Sequence, residues 1–592
     1  MRTRFIHQEF ELDVSHLELN WVEENTWFKD EFFLISSFPF EMPYDQVDYF
    51  QKFKHDNLAT TDTILHGKLE KDGAIEDAIL EIEEAGNGLL LTIRYGIEAL
   101  PNWNKLISEI EMDVVLPEGG NMRTHANTIV TKTYPEVNYN FPAIHSDYYN
   151  DDPMFNGWGG TINKRVSGVF VHNIPDGHNT INRNIVYPLP YYLYVLKKVV
   201  EDAGFVLKGD ILNDEDLKHK IIFSGKKLAE FEGIPAPANW IIGLESLTDV
   251  ESIGLGVYKE TWLDESQLNH RGYFHFHGYV HGNVLWATIK LNDEVIYSYT
   301  PGQSTMINFW VTTDQLENDL TFEGVSISIG SGDNPMDVTI TTLYLTDENG
   351  EMVPFVADFS NVQLASKLPD MTVGDFFKFP KRLKNYDLDI RNGNELWMNL
   401  ISKEIEESKE INLKDFEVLE KRRRFEPDKS FILQYEGEYE DYHFPKIYAD
   451  KNGFIIDDFT KKEDTQEITI NGIPLPIIDK DGIRTAVQIT EGDDKMMLVD
   501  YRGLKENDNW TNATPELDTL NLYQKEWKFW LHYMIHAVLF SWTIKSKPNL
   551  LIPIKRKSKL FAFNNLMFVH TLNRRRTKDV EEIEIQAYSS KV

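Results

Sequence analysis

The sequence predicts a multidomain, mainly β protein with an α/β connecting region and an inserted β-sandwich. Three observations predict it. At about 150 residues per domain, 592 residues correspond to about four domains. Short segments of alternating apolar and polar residues crowd both ends of the chain and the stretch 251–350, whereas strong helical spacing appears only around 188–250. A hydrophobic fraction of 42% with 12% aromatics is too high for a disordered acidic chain, so the charge does not prevent a packed core.

From the N-terminus, Glu9, Glu11 and Asp13 alternate with Phe10, Leu12 and Val14, and a second apolar segment begins at Glu31. Two further runs, from Ala78 and from Leu89, flank Glu84-Ala-Gly-Asn-Gly and predict a hairpin. These place a first β-domain over 1–120, ending in a short helix after Pro101-Asn102 with Trp103, Leu106, Ile107 and Ile110 on one face. Residues 121–187 are rich in Asn, Tyr, Pro, Gly and His and show no period, so 121–250 is an irregular segment followed by a connector. The connector's helix follows Pro188-Leu-Pro190, with Tyr192, Val195, Leu196, Val199, Val200 and Ala203 at three- and four-residue intervals and Gly204 as its stop. Asn213 is the expected cap of a next helix.

Seven strand-like segments between 251 and 350, joined by Gly, Asn and Asp turns, meet the requirement of a sandwich. Over 351–420, Thr372 and Asp375 stand at capping-box spacing before Phe376, Phe377 and Leu383, and Pro380 predicts a short or kinked helix. Tyr386-Asp-Leu-Asp-Ile and Leu396-Trp-Met-Asn-Leu flank the Asn392-Gly393 turn as a hairpin. The range 421–592 again alternates β-like segments with acidic turns and ends in strands at Leu560, Leu566 and Val580.

Charge and composition exclude several function classes. Ninety-five acidic against 60 basic residues, a net charge of -35, oppose a protein wrapped on a nucleic-acid backbone, which needs cations to displace counterions. The absence of cysteine removes disulfides, thiol nucleophiles and thiolate metal sites, so any site must use His, carboxylate, hydroxyl or backbone groups. No apolar run has the length of a membrane span, and the first residues lack the apolar core of a signal peptide. H-E-x-x-H, Walker and G-x-S-x-G patterns are missing, so no catalytic residue, cofactor or metal is expected.

The runs Tyr187-Pro-Leu-Pro-Tyr-Tyr-Leu-Tyr-Val-Leu-Lys-Lys-Val-Val-Glu-Asp-Ala-Gly-Phe, Leu368-Pro-Asp-Met-Thr-Val-Gly-Asp-Phe-Phe and Tyr386-Asp-Leu-Asp-Ile follow one another in an order that resembles tail-tip or baseplate hub proteins of tailed bacteriophages, especially those of phages and prophages of Bacteroidetes-type hosts. The resemblance leaves out the sandwich. It implies a structural virion protein at the tail tip, assembled in the host cytoplasm. On that reading the protein is a homotrimer in which two tube-like β-domains per subunit, 1–120 and 421–592, build a pseudo-sixfold ring that closes the tail tube. Its implied partners are tail-tube or distal tail proteins and a spike, fibre or tape-measure protein. DNA would pass without specific binding, and the inserted sandwich would dock protein or a host-surface glycan. The alternative function is a carbohydrate-binding or glycan-hydrolysing protein.

The candidate binding residues are few. Trp262, Tyr273, Trp286 and Trp310 are dense enough for an exposed subset to stack on a sugar, with Tyr297 and Tyr299 nearby; the same residues suit a sandwich core equally well. His275 and His277 alternate on one strand with His281 beyond it, but no matched carboxylate completes a metal site. The basic runs Lys555, Arg556, Lys557 and Arg574, Arg575, Arg576 are candidates for neutralising acids across a subunit interface, or for a solvated rim. Asp479-Lys-Asp-Gly reads as an acidic turn, lacking the full calcium-loop ladder. The pairs Asp151-Asp152 and Asp457-Asp458 have no assigned role without a measured carboxyl separation.

Overall fold

Both ends of the chain fold into antiparallel sheets, and a strand from the first end is sewn into the sheet of the last. The structure is a computed structural model. It describes the chain except residues 1–2, 33–35, 55–62, 72, 86–87, 97–98, 118–121, 151–157, 172–173, 177–178, 182–183, 229–237, 269–271, 314, 316, 331–334, 347–351, 354–361, 393, 426–428, 440–441, 513–517, 548–549, 552, 578 and 590–592. Parts of the expected segment after Glu31, the turn glycines Gly86 and Gly393 and the pair Asp151-Asp152 therefore lie outside the described residues.

The N-terminal sheet uses strands β1 (Arg4–Ile6), β2 (Glu11–Asp13), β4 (Ser36–Met42), β5 (Ile64–Lys71), β6 (Ala74–Ala85) and β7 (Gly88–Tyr95), in the order β2-β1-β5-β6-β7-β4. Alternation puts Leu80, Ile82, Leu89, Leu91 and Ile93 into a core with Phe5, Phe38 and Phe50. Strand β3 (Leu19–Glu24) leaves this sheet and pairs antiparallel with the long strand Asn565–Arg576, from Leu19 opposite Arg576 to Glu24 opposite Thr571. Asn25 continues the seam, its backbone N–H donating to the His570 carbonyl (3.0 Å) and its side-chain amide to the Val569 carbonyl (2.8 Å).

Within the range 421–592, the C-terminal sheet is built from Arg422–Phe425, Val538–Ser546, Lys559–Ala562, Asn565–Arg576 and Glu581–Ser589, extended by Glu410–Asn412 and β3. The intervening strands join the connecting region. Lys220–Phe223 pairs with Met496–Asp500, and Ile144–His145 runs parallel to Ile483–Val487. A single large core collects Phe141, Tyr192, Leu196, Phe376, Phe377, Met497 and Trp527. The periodless stretch after 121 thus packs irregularly inside this core, with Phe141, Ile144, Tyr149 and Ile162 buried.

The expected helix forms over Tyr192–Asp202. Gly204, at φ +83, closes it by donating to the Glu201 carbonyl while Phe205 donates to that of Val200, the Schellman pattern that needs a left-handed residue at this point. A second helix, Val373–Lys384, starts where expected, Thr372 Oγ1 accepting from the Asp375 N–H at 3.1 Å, but runs four residues past Pro380 to a left-handed Asn385. Its burial against the core outweighs the one hydrogen bond the proline removes.

Other expectations are corrected. No α-helix follows Pro101-Asn102; turns lead to a 3-10 helix at Ile107–Glu109, because the backbone groups an α-helix would use are bonded elsewhere. Gly374 N–H donates to the Trp103 carbonyl, Val373 N–H to that of Lys105 and Ile107 N–H to that of Met371. The cap at Asn213 is instead Asp214, which accepts from Asp216 and Leu217. Helices also occur at Met122–Ile129, Ile401–Glu407 and, near the C-terminus, at Thr519–Leu522 and Lys528–His536 joined by a π segment at Tyr523–Trp527.

Among the described residues the sandwich carries nine strands, from Ala238–Ile242 to Met336–Thr346, so it begins before the expected 251 and holds more strands than the seven expected. One sheet contains Gly272–Val280 flanked by Met306–Thr313 and Met336–Thr346; the other contains Val257–Leu268 and Asn318–Ile329. Phe274, Phe276, Ile289, Ile307, Leu320 and Phe322 fill the space between them. Gly278 has no room for a side chain: a Cβ there would lie 2.0 Å from the Asp337 carbonyl oxygen of the adjacent strand. Among the described residues no helix is long and apolar enough to cross a membrane.

Candidate functional site

The basic runs singled out in the sequence sit where the domains meet. Lys557 Nζ lies 2.6 Å from Asp387 Oδ2, and Lys381 Nζ lies 3.7 Å from Asp387 Oδ1. Thr26 Oγ1 donates to the same carboxylate at 2.9 Å. One buried aspartate therefore gathers the N-terminal segment, the connecting hairpin and the C-terminal sheet. Burial opposes the charge on Asp387, yet Lys557 and Lys381 hold its carboxyl below the usual carboxylate range. Burial likewise pulls Lys381 down, and its ammonium donates to the Thr26 and Glu31 carbonyls at 3.2 and 3.1 Å. For Lys557 burial acts in the same sense, but Asp387, Asp389 and Glu404 outweigh it and raise the ammonium above the ordinary lysine value. Arg556 approaches Asp389 at 3.6 Å, while Lys555 is exposed.

The second run splits by strand alternation. Arg574 and Arg576 point inward and both contact the buried Glu581, each at 2.9 Å, and Arg574 also reaches Glu23 on β3 at 3.6 Å. Arg576 lies over the Trp21 ring at 5.2 Å. Arg575 points outward and pairs with Glu18. Lys557, Arg574 and Arg576 thus neutralise acids within the chain, leaving Lys555, Arg556 and Arg575 at the surface.

Two further buried ion pairs escaped the sequence reading. Lys220 and Asp500, both fully buried, meet at 2.6 Å on paired strands, and Lys384 bridges Asp214 and Asp216 at 3.0 and 2.6 Å. The lone lysine in the apolar strand Lys220–Phe223 was a sequence signal for the first; Lys384, in the basic last turn of a helix, gave none.

In the sandwich the four aromatic candidates separate. Trp262 is 1% exposed, its indole N–H donating to Ser326 Oγ at 2.8 Å, so it is a core residue. Trp286, 40% exposed, faces out from the other sheet surface. Tyr273 and Trp310 share an outer face with His275 and His277. Trp310 stacks on Tyr273 with centroids 5.2 Å apart and on His275 at 4.0 Å. The ladder continues through His277 and Tyr279 to His281, which pairs with Asp337 at 3.1 Å. Tyr297 stacks on Phe309 and Tyr299 is buried. Among the described residues no group of three or more His, Asp or Glu could hold a metal ion.

Asp481 and Gly482 form a tight hairpin turn in which the Gly482 N–H donates to Asp479 Oδ1 at 3.0 Å, and Asp481 pairs with Lys164 at 2.5 Å. Asp457 accepts from the Lys446 N–H and from His443. A polar cavity of about 260 Å³ is lined by Glu111, Met112, Asp113, Lys198, Glu201 and Asp202. Within the wall Asp202 accepts from Asn102 and Lys105, Asp113 accepts from Asn138, and Lys198 pairs with Glu201.

No protein-family model matches the chain, and no curated protein matches it. A 43 kDa tail protein of prophage MuSo2 from Shewanella oneidensis aligns over 99% of this chain and 98% of its own, at 6% identity and a TM-score of 0.30. A family 35 carbohydrate-binding module from Clostridium thermocellum covers 17% of this chain and 96% of its own, at 13% identity and a TM-score of 0.11. A β-glucosidase from Kluyveromyces marxianus covers 18% of this chain, which in turn spans only 13% of the enzyme, at 15% identity and a TM-score of 0.12. Likenesses at these TM-scores carry no argument about what the chain does.

Proposed function

We propose that this protein is a structural component of a phage tail tip, a homotrimeric hub that closes the tube and anchors spike, fibre or receptor-binding components. The observation that supports it is the joining of two antiparallel sheets, one from each end of the chain, through β3. Three such subunits would set six sheets around an axis, the number a sixfold tube requires. The buried charges at the seam would keep the two sheets in one relative orientation, as a ring segment must. The sandwich would then be a peripheral module, and the net charge of -35 would favour passage of DNA without adsorption.

Particle imaging with mass determination on the full chain, followed by incubation with tail-tube protein, tests this reading. A closed trimer seated on the tube end is the expected result; a monomer that leaves the tube bare overturns it.

The outward ring faces of the sandwich favour a second reading, glycan binding. Trp286 offers an exposed ring, whereas Trp310 has neighbours stacked against it. Retention of the protein on host-surface glycan, lost on Trp286→Ala, would support it.

A further inference from the structure

Among the described residues, each of the two joined sheets ends in a strand edge without a further partner, and the two edges are opposite in charge. On the N-terminal sheet, the β4 side is closed within the subunit: β4 lies beside β3, with Ser36 Oγ donating to the Val22 carbonyl at 2.9 Å. The other side ends at β2, which pairs only with β1 among the described strands. Its residues Glu11 and Asp13 are exposed, Glu9 is exposed just before them, and Leu12 between them is buried, so the carboxylates share the solvent face, with Arg4 of β1 pairing with Glu11 at 2.6 Å and Glu9 and Asp13 adding further negative charge.

The C-terminal sheet ends at Arg422–Phe425, which pairs with Val538–Ser546 from Arg422 opposite Ser541 to Phe425 opposite Val538 and with no other described strand. All four of its residues are exposed, Phe425 by 66%. Among the described residues no carboxylate forms an ion pair with Arg422, Arg423 or Arg424. In a chain with 35 more acids than bases, three adjacent arginines without acidic partners are conspicuous.

Charged edges oppose pairing with copies of themselves, because like charges directly opposite across a strand pair destabilise it. Two arginine edges repel, and so do two acidic edges. An arginine edge against an acidic one places opposite charges face to face and supplies the missing backbone partners of both strands. Such a contact is head-to-tail, so it generates a ring where its rotation closes, and a filament where it does not, instead of a two-fold dimer.

We propose that strand Arg422–Phe425 of one copy pairs with strand Glu11–Asp13 of a second copy of this chain, and that repetition of this contact closes the ring. The proposal rests on the assembly reading above and names the contact that makes it.

The test is mass determination of the full chain in three variants beside the unaltered protein. The unaltered chain is expected at threefold its 68.9 kDa mass. Arg422→Glu with Arg424→Glu should shift it to the single-chain mass, as should Glu9→Lys with Glu11→Lys. A chain carrying both changes restores opposite charges at every contact and should recover the trimer. Either edge alone probes the same contact, so one folded single-edge variant suffices, with near-ultraviolet circular dichroism as the folding control.

A trimer that survives a single-edge reversal and still caps the tube overturns the edge pairing and leaves the hub reading standing. A trimer that obeys the edge charges but ignores the tube does the reverse. A monomeric unaltered chain overturns both. Nucleic-acid retention lost with the arginines, while the trimer persists, reassigns that strand and also overturns the pairing.

Discussion

Lys557 and Asp387, 170 positions apart, form a 2.6 Å ion pair in which the carboxylate is fully buried, and this pair joins the C-terminal sheet to the connecting hairpin. Taking both charges from water is costly, and it is offset by the hydrogen bond from Thr26 at 2.9 Å and the second ammonium of Lys381 at 3.7 Å on the same carboxylate.

Asp387→Asn leaves Lys557 and Lys381 charged and facing a neutral amide. Breaking a buried pair from one side costs about 3–5 kcal/mol. The expected outcome is a large loss in the urea midpoint of the unfolding step that includes the seam, followed by fluorescence of the buried Trp27 and Trp530. A change below about 1 kcal/mol, the size of an exposed pair, would show that the pair does not hold the seam.

The same carboxylate sets a pH dependence. Its folded pKa is depressed below the unfolded value of about 3.9, so it contributes stability above that value and loses it as pH falls through the folded pKa. Glu23, which burial opposes but Arg574 and Lys71 hold low, acts with the same sign. Stability at the seam should be flat from neutral pH to about pH 5 and fall steeply below about pH 4. In Asp387→Asn the acid-side slope should be shallower; an unchanged slope would assign it to other carboxylates.

Trp262 and Trp286 separate core from surface within the sandwich. Trp262→Ala opens a cavity between the sheets and should cost about 3–5 kcal/mol. Trp286→Ala, on an exposed face, should stay within about 1 kcal/mol. Hydrogen exchange of the sandwich amides distinguishes them, since only the first variant should lose protection throughout that module.

Much of the fold was legible because its cause was local. The helix at Tyr192–Asp202 declared itself by spacing, and the strands of the sandwich by alternation. The helix Lys528–His536 did not, because Phe529, Trp530, Leu531, Tyr533, Met534 and Ile535 form a nearly continuous apolar run rich in strand-favouring aromatics. The basic runs were found but not their partners. Strand alternation alone separates Arg575 from Arg574 and Arg576; that Glu581 and Glu23 would receive the inward pair depends on strand pairing.

By itself, then, the amino-acid order determined a cysteine-free, strongly acidic, mainly β chain of several domains, the place of the helix at Tyr192–Asp202, and which residue types any site could use. These properties follow from composition and from periods of two and 3.6 residues, which neighbouring positions carry. Tertiary structure alone decided that β3 crosses to a strand more than 500 positions away, that Lys557 lies buried against Asp387, that Trp262 faces inward while Trp286 faces out, and which strand edges stay unpaired. Each depends on what a residue meets across the fold, and a contact between distant segments leaves no period in either one.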